Sequence, residues 1–178
     1  MPHSSQIDST RQPSPPSRIG IARRAGAYRV VAAEQIAPGS VILSIDGLFV
    51  DEPSRYSIQV SESLHVEPPR EIQPDLEPNR CPWRFLNHSC APNAALESTL
   101  QPGGSALRLV ALRTIDQWEE ISFDYNTNEY DMAEPFVCRC GNCQSRVVRG
   151  FRHLDALEQA MLRSRVAPHV RARLGEAG

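Results

Sequence analysis

The 178 residues make the length of a single domain, and an apolar share of 40% with a charged share of 22% is ordinary for a soluble globular chain. No run reaches the roughly 18 apolar residues of a membrane span, and no apolar stretch near the N-terminus has the form of a signal-peptide core. A membrane-spanning protein is excluded and a secreted one is not expected.

All 19 basic residues are arginine, and the net charge of −2 conceals an uneven distribution. Residues 30–138 carry 17 acids against 6 arginines, whereas 139–174 carry 8 arginines against 2 acids. An acidic middle of this kind is either solvated surface or a face that attracts a basic partner. The basic C-terminal stretch has no nucleic-acid recognition motif, so nucleic acid is not the expected partner.

In chain order, residues 1–18 (with PSPPS) predict a disordered lead-in. From Tyr28 onward, short β-type runs alternate with turn signals: YRVVAA, VILSI, a turn at Asp46-Gly47, LFV, RYSIQV and SLHV. Residues 67–82, rich in Pro, Glu and Arg, predict an irregular loop. Glycines 103 and 104 precede a strand over Ala106–Leu112. EEISFDY predicts another over Glu119–Tyr125, with Ile121, Phe123 and Tyr125 on one face. Leu154, Leu157 and Met161 fall at helical spacing, which predicts an amphipathic helix over His153–Val166, ending before Pro168. The fold class is mostly β, with a small metal-bound module and a C-terminal helix.

The five cysteines are Cys81, Cys90, Cys138, Cys140 and Cys143. Three of them within six positions do not suit long-loop disulfides; clustered thiolates suit a tetrahedral soft metal, above all zinc, which takes four ligands in a structural site. Cys81 and Trp83 read as packing residues. The segment RFLNHSCAPNA, from Arg84 to Ala94, is too crowded with polar residues for a regular strand. Taken singly, Asn87 and Asn93 read as turn formers, His88 as a satisfied buried histidine and Cys90 as a small core residue.

Taken together, RFLNHSCAPN resembles the central signature of SET-domain protein lysine methyltransferases. EEISFDYN is similar to that family's second signature, and FVCRCGNC to its cysteine-rich post-SET tail. The resemblance covers roughly 25–154. It implies a SET-type fold of small curved β-sheets with a pseudoknot over 19–130, a post-SET zinc module over 131–152, and a C-terminal helix and tail over 153–178. It also implies that S-adenosylmethionine and the target lysine enter from opposite faces and meet through a narrow channel. Asn87 and His88 would then bind the cofactor, Tyr56 would approach its carboxylate, and Arg84 would brace the pocket. Either Phe136 or Phe151 would pack on the adenine. Tyr125 would be catalytic, and Cys90 would join Cys138, Cys140 and Cys143 around zinc.

The chain departs from the family pattern in three places. The tail cysteines are spaced C-x-C-x2-C where the family usually has C-x-C-x4-C, Ile45 stands where a tyrosine is frequent, and the cofactor loop keeps only Gly26. The expected function is transfer of a methyl group from S-adenosylmethionine to a lysine of a histone or other basic protein. The alternatives are an inactive SET-fold module that binds a basic peptide and, behind it, a zinc-dependent nucleic-acid binder. A monomer without membrane contact is expected, cytoplasmic in a bacterium and nuclear or cytoplasmic in a eukaryote.

Overall fold

The computed structural model describes residues 18–98 and 107–174. All but the last residue of the expected lead-in, glycines 103 and 104, and Ala106 lie outside the described residues. What is described is a set of small sheets with two short helices, the layout of a SET-type fold. No helix among the described residues is long and apolar enough to cross a membrane.

The chain opens with an antiparallel hairpin of β1 (Ile19–Arg24) and β2 (Ala27–Ala32). Ala25 and Gly26 form its two-residue turn with φ of +49° and +83°, the doubly left-handed geometry that matches the twist of the flanking strands. After β3 (Val41–Ile45) the chain does not fold back on itself. Asp46-Gly47 is instead a crossing between sheets: β3 pairs with β9 (Leu107–Ala111), and β4 (Leu48–Val50) pairs with β6 (His65–Glu67). Glycine is required there because a Cβ on Gly47 would meet the Glu67 carbonyl oxygen at 2.0 Å.

RYSIQV contracts to β5 (Ile58–Gln59), because serine hydroxyls capture the backbone before it. The Ser54 amide donates to Ser57 Oγ at 2.9 Å and the Tyr56 amide to Ser54 Oγ at 3.2 Å. The expected loop after Glu67 holds two short 3-10 turns, Pro78–Arg80 and Pro82–Phe85. Two strands in the stretch that follows were not expected from sequence, as β1 was not. β7 (Asn87–His88) lies within the crowded polar segment, and β8 (Ala94–Ser98) begins with two alanines of weak strand preference. The sheet β3-β9-β8 then carries Leu107, Leu109 and Ala111 into the main core.

EEISFDY forms only β10 (Ser122–Phe123), parallel to β7. Asp124 ends it by accepting the Asn126 amide, which turns the chain into a 3-10 turn over Tyr125–Thr127. The expected shared face holds, since Ile121 and Phe123 are in the core and Tyr125 packs against it. β11 (Phe136–Val137) and β12 (Val147–Val148) form a last small hairpin around the cysteine-rich stretch.

The C-terminal helix differs from expectation. A capping box of Asp155 and Glu158 starts α1 (Ala156–Leu162), and Pro168 opens a second helix, α2 (Pro168–Ala172). Leu157 and Met161 are 71% and 66% exposed and are not its buried face. With only two turns of helix, burial falls instead to Val166, Ala167 and Val170, which surround Phe151 in a second core with Leu154 and Leu162 at its edge.

Trp118 holds φ +69° in the turn before β10 while 70% exposed, so it carries left-handed strain without the packing of a buried tryptophan. Trp118→Asn, which tolerates that conformation, is expected to raise stability by about 1 kcal/mol, seen as a higher urea midpoint. An unchanged or lower midpoint would mean that the indole contributes more than the strain costs.

Candidate active site

The polar segment from Arg84 to Asn93 is held by hydrogen bonds from both directions. Asn93, far from being a simple turn former, is buried and has both ends of its side chain engaged. Its amide donates to Glu119 Oε1 and to the Glu120 carbonyl at 2.9 and 2.8 Å, and its Oδ1 accepts the Ser122 amide at 3.0 Å. Asn87 Nδ2 donates to Glu120 Oε1 at 2.8 Å, while the other oxygen of Glu120 pairs with Arg29. One carboxylate thus ties the segment to β2.

His88 links this segment to everything around it. Its Nδ1 accepts the backbone N–H of Tyr125 at 3.1 Å, so that nitrogen is the unprotonated one. Nε2 therefore carries the proton and faces Cys90 Sγ at 3.3 Å. Burial, reinforced by the Arg146 guanidinium, holds the imidazole pKa down at about 4, so the ring is neutral at physiological pH. Its 3.6 Å approach to Asp124 is accordingly no ion pair.

Tyr125 sits beside His88, with ring centroids 5.3 Å apart, and also touches Phe123 and Phe136 at 4.7 and 5.8 Å. Its hydroxyl donates to the Leu86 carbonyl at 2.6 Å. Burial, with the nearby Glu129 and Glu120 charges, pushes its pKa well above the ordinary range, so the phenol remains protonated.

The ligand atoms of Cys90, Cys138, Cys140 and Cys143 all lie within 4.8 Å of one another. Sγ atoms of Cys90 and Cys138 are 3.9 Å apart, as are those of Cys140 and Cys143. Tetrahedral zinc with bonds of about 2.3 Å separates its sulfurs by roughly 3.8 Å, so this donor set fits the ion, even with the shortened C-x-C-x2-C spacing. His88 Nε2–H points at one of the four sulfurs, the kind of outer hydrogen bond that steadies a metal-bound thiolate. Cys81 is not part of the group; it is buried in the main core, where desolvation pushes its thiol up to about 11.

Two cavities meet at this segment. One, of about 400 Å3, is bordered by Tyr56, Arg84, Asn87, Glu129, Tyr125 and Phe136. The other, of about 480 Å3, is bordered by Arg29, Asn87, His88, Glu120, Phe136 and Cys140. Asn87 and Phe136 belong to both walls. Tyr56 and Arg84, expected on the cofactor, border the Tyr125 cavity and not the His88 cavity; the Arg84 guanidinium lies 3.8 Å above the Tyr56 ring. Of the two phenylalanines, Phe136 borders both cavities, whereas Phe151 is 1% exposed in the second core and borders neither. Ile45 is buried in the main core and likewise borders neither.

Sequence reasoning missed Glu129, Glu120 and Leu86. No motif marks Glu129. Glu120 belongs to the EEISFDY strand motif, where an acid reads as a solvent-facing position. Leu86 contributes only its carbonyl, to which any residue type is equivalent.

A family model described as "SET domain" matches residues 27–126, and the chain belongs to that family. Over 123 residues (65% of this chain) it is 33% identical to Histone-lysine N-methyltransferase ash1 of Drosophila melanogaster, but it spans only 5% of that protein. Over 171 residues (93% of this chain) it is 27% identical to Methyltransferase flvH of Aspergillus flavus and spans 85% of it. Histone-lysine N-methyltransferase, H3 lysine-36 specific, of Yarrowia lipolytica is 32% identical over 121 residues, 63% of this chain and 16% of that protein.

Metal analysis of the purified chain is expected to return one zinc per molecule. Cys90→Ser should bind it more than about tenfold more weakly in a chelator competition. A ratio near zero, or undiminished affinity in the variant, would refute the four-cysteine centre.

Proposed function

We propose that this chain is a protein-lysine methyltransferase that uses S-adenosylmethionine. The observation that carries the proposal is the Tyr125 hydroxyl, fixed by the Leu86 carbonyl in an aromatic cavity that shares its Asn87–Phe136 wall with a second, polar cavity. A pocket of about 480 Å3 lined by amide, carboxylate, guanidinium and ring groups has the size and polarity of a site for a nucleoside-bearing ligand.

In this reading Asn87, His88 and Phe136 would hold the cofactor in the polar cavity, while Arg84 and Tyr56, across the shared Asn87–Phe136 wall, belong to the lysine cavity and not to the cofactor carboxylate. Bound there, S-adenosylmethionine supplies a methyl group already activated on a sulfonium. The work left to the protein is alignment, which alone supplies much of the rate of such a displacement. Tyr56, Phe123, Tyr125 and Phe136 form an apolar sleeve for a lysine stem, and the fixed Tyr125 oxygen orients the amine. An apolar sleeve also disfavours the ammonium form, whose ordinary pKa is about 10.4, and so favours the neutral nucleophile. Cys90, Cys138, Cys140 and Cys143 would hold zinc as a structural ion.

Two of the relatives are named for histones and the one of similar length, flvH, is named only as a methyltransferase. The substrate class is therefore a lysine in a basic protein, histones among them, drawn by the acidic middle of the chain.

Tyr125→Phe tests the proposal because it keeps the ring and removes the hydroxyl. With zinc-loaded protein, labelled S-adenosylmethionine and core histones or lysate as acceptor, turnover should fall by roughly 100-fold with cofactor affinity nearly unchanged, while the melting temperature drops by only a few degrees for the lost bond to the Leu86 carbonyl. No transfer by folded wild-type protein to any acceptor would overturn the function. Parental turnover in Tyr125→Phe would remove the tyrosine from it.

A further inference from the structure

Of the ionisable groups bordering the Tyr125 cavity that alignment and cofactor binding do not use, Arg55 and Glu134 face each other and Arg84 faces Asp75, which leaves Glu129. Glu129 lies four residues beyond Tyr125, and its backbone N–H donates to the Tyr125 carbonyl at 2.8 Å. It is 8% exposed and still borders the cavity. Its Oε1 accepts the Gln59 backbone amide at 2.9 Å, with the Asn128 side-chain amide at 3.5 Å. Its Oε2 receives no hydrogen bond among the described residues, and no arginine or histidine pairs with it there. A carboxylate held at one oxygen and open at the other, among aromatic rings, is a receptor for a cation at the end of an apolar stem.

The charged groups around it are otherwise accounted for. Arg55 faces Glu134 at 3.9 Å, and Arg84 faces Asp75 at 3.4 Å over the Tyr56 ring. β5, behind Glu129, contributes neutral Gln59, and α2 turns Arg173 toward Tyr130 and Glu62. His65, which pairs with Gln59 in the sheet, and His169, bonded to the Asn128 carbonyl, are both held below the ordinary histidine range, chiefly by burial. No neighbouring charge neutralises Glu129.

We propose that Glu129 receives the substrate ammonium in the Tyr125 cavity and accepts its proton, so that the amine is neutral when it meets the methyl group. The inference rests on the lysine-methyltransferase reading and adds to it the group that takes the proton. One N–H bond breaks, one O–H bond forms at Oε2, and the lone pair remains on nitrogen. The proton then passes to water at the cavity mouth, which restores the carboxylate for the next turnover. Burial pushes the Glu129 pKa up to about 7, opposed by the Gln59 and Asn128 hydrogen bonds, which suits an acceptor working near neutral pH.

Two measurements on the zinc-loaded full chain test this. In the first, n-butylammonium and 1-butanol are titrated into the protein by NMR. Wild type should prefer the cation by at least about tenfold, Glu129→Gln should lose that preference, and Glu129→Asp should keep part of it. Equal binding of the two probes by wild type would overturn the inference. In the second, kcat/KM for methyl transfer to histone H3 is followed from pH 6 to 10. Glu129→Gln should fall by roughly 100-fold near pH 7 and recover toward wild type near pH 10, where the free amine is itself largely neutral. A deficit that is the same at every pH would contradict proton acceptance. If Glu129→Gln does not fold, the Glu129→Asp profile decides: a low-pH limb as in wild type supports a carboxylate acceptor, and its loss overturns one. Cation preference without any methyl transfer by wild type would sink the enzymatic reading and not the receptor.

Discussion

The hydrogen-bonding of His88 is the constraint on which the rest of the site depends. One ring nitrogen accepts the Tyr125 backbone N–H and the other points its proton at Cys90 Sγ. Because the first bond fixes the tautomer, the second follows, and a single neutral ring joins the Tyr125 backbone to the cysteine centre. Protonating it would remove the acceptor on which Tyr125 rests, and burial with the nearby Arg146 prevents that at physiological pH. The parallel pairing of β7 with β10 is the backbone counterpart of the same link.

The loop that follows Tyr125 is secured from the other side by the C-terminal core. Phe151 and Ala167 donate backbone amides to the Glu129 and Thr127 carbonyls at 2.8 Å, and His169 Nε2 donates to the Asn128 carbonyl at 2.7 Å. The Tyr130 amide donates to Gln59 Oε1 at 2.9 Å. Glu129 is thereby set in its cavity by backbone bonds from elements far along the chain. Gly150, at φ +102°, makes this possible: a Cβ there would meet the Tyr130 carbonyl oxygen at 2.8 Å.

Much of this was legible in the sequence where the candidate residues stand close together. Asn87, His88 and Cys90 occur within four positions and Cys138, Cys140 and Cys143 within six, so their grouping needed little knowledge of the fold. The alternation through Ile121, Phe123 and Tyr125 likewise predicted a common face. What escaped was set by tertiary context. The β1–β2 hairpin turns on Ala-Gly and not on a strong hairpin dipeptide such as Asn-Gly. Leu157 and Met161 have helical spacing, yet the helix is too short to bury them. Glu129 gains its character only when Gln59, 70 positions earlier, lends it a backbone amide.

The central claim is that the cysteine centre and the Tyr125 cavity are one assembly joined through His88. Hydrogen exchange on zinc-loaded protein before and after chelation tests it most directly. Removing the metal should speed exchange not only at 136–148 but also at the Tyr125 amide and across β7, while β3, β9 and β8 stay protected. If the loss of protection stops at 136–148 and the Tyr125 amide keeps its rate, the two are separate and the account is contradicted.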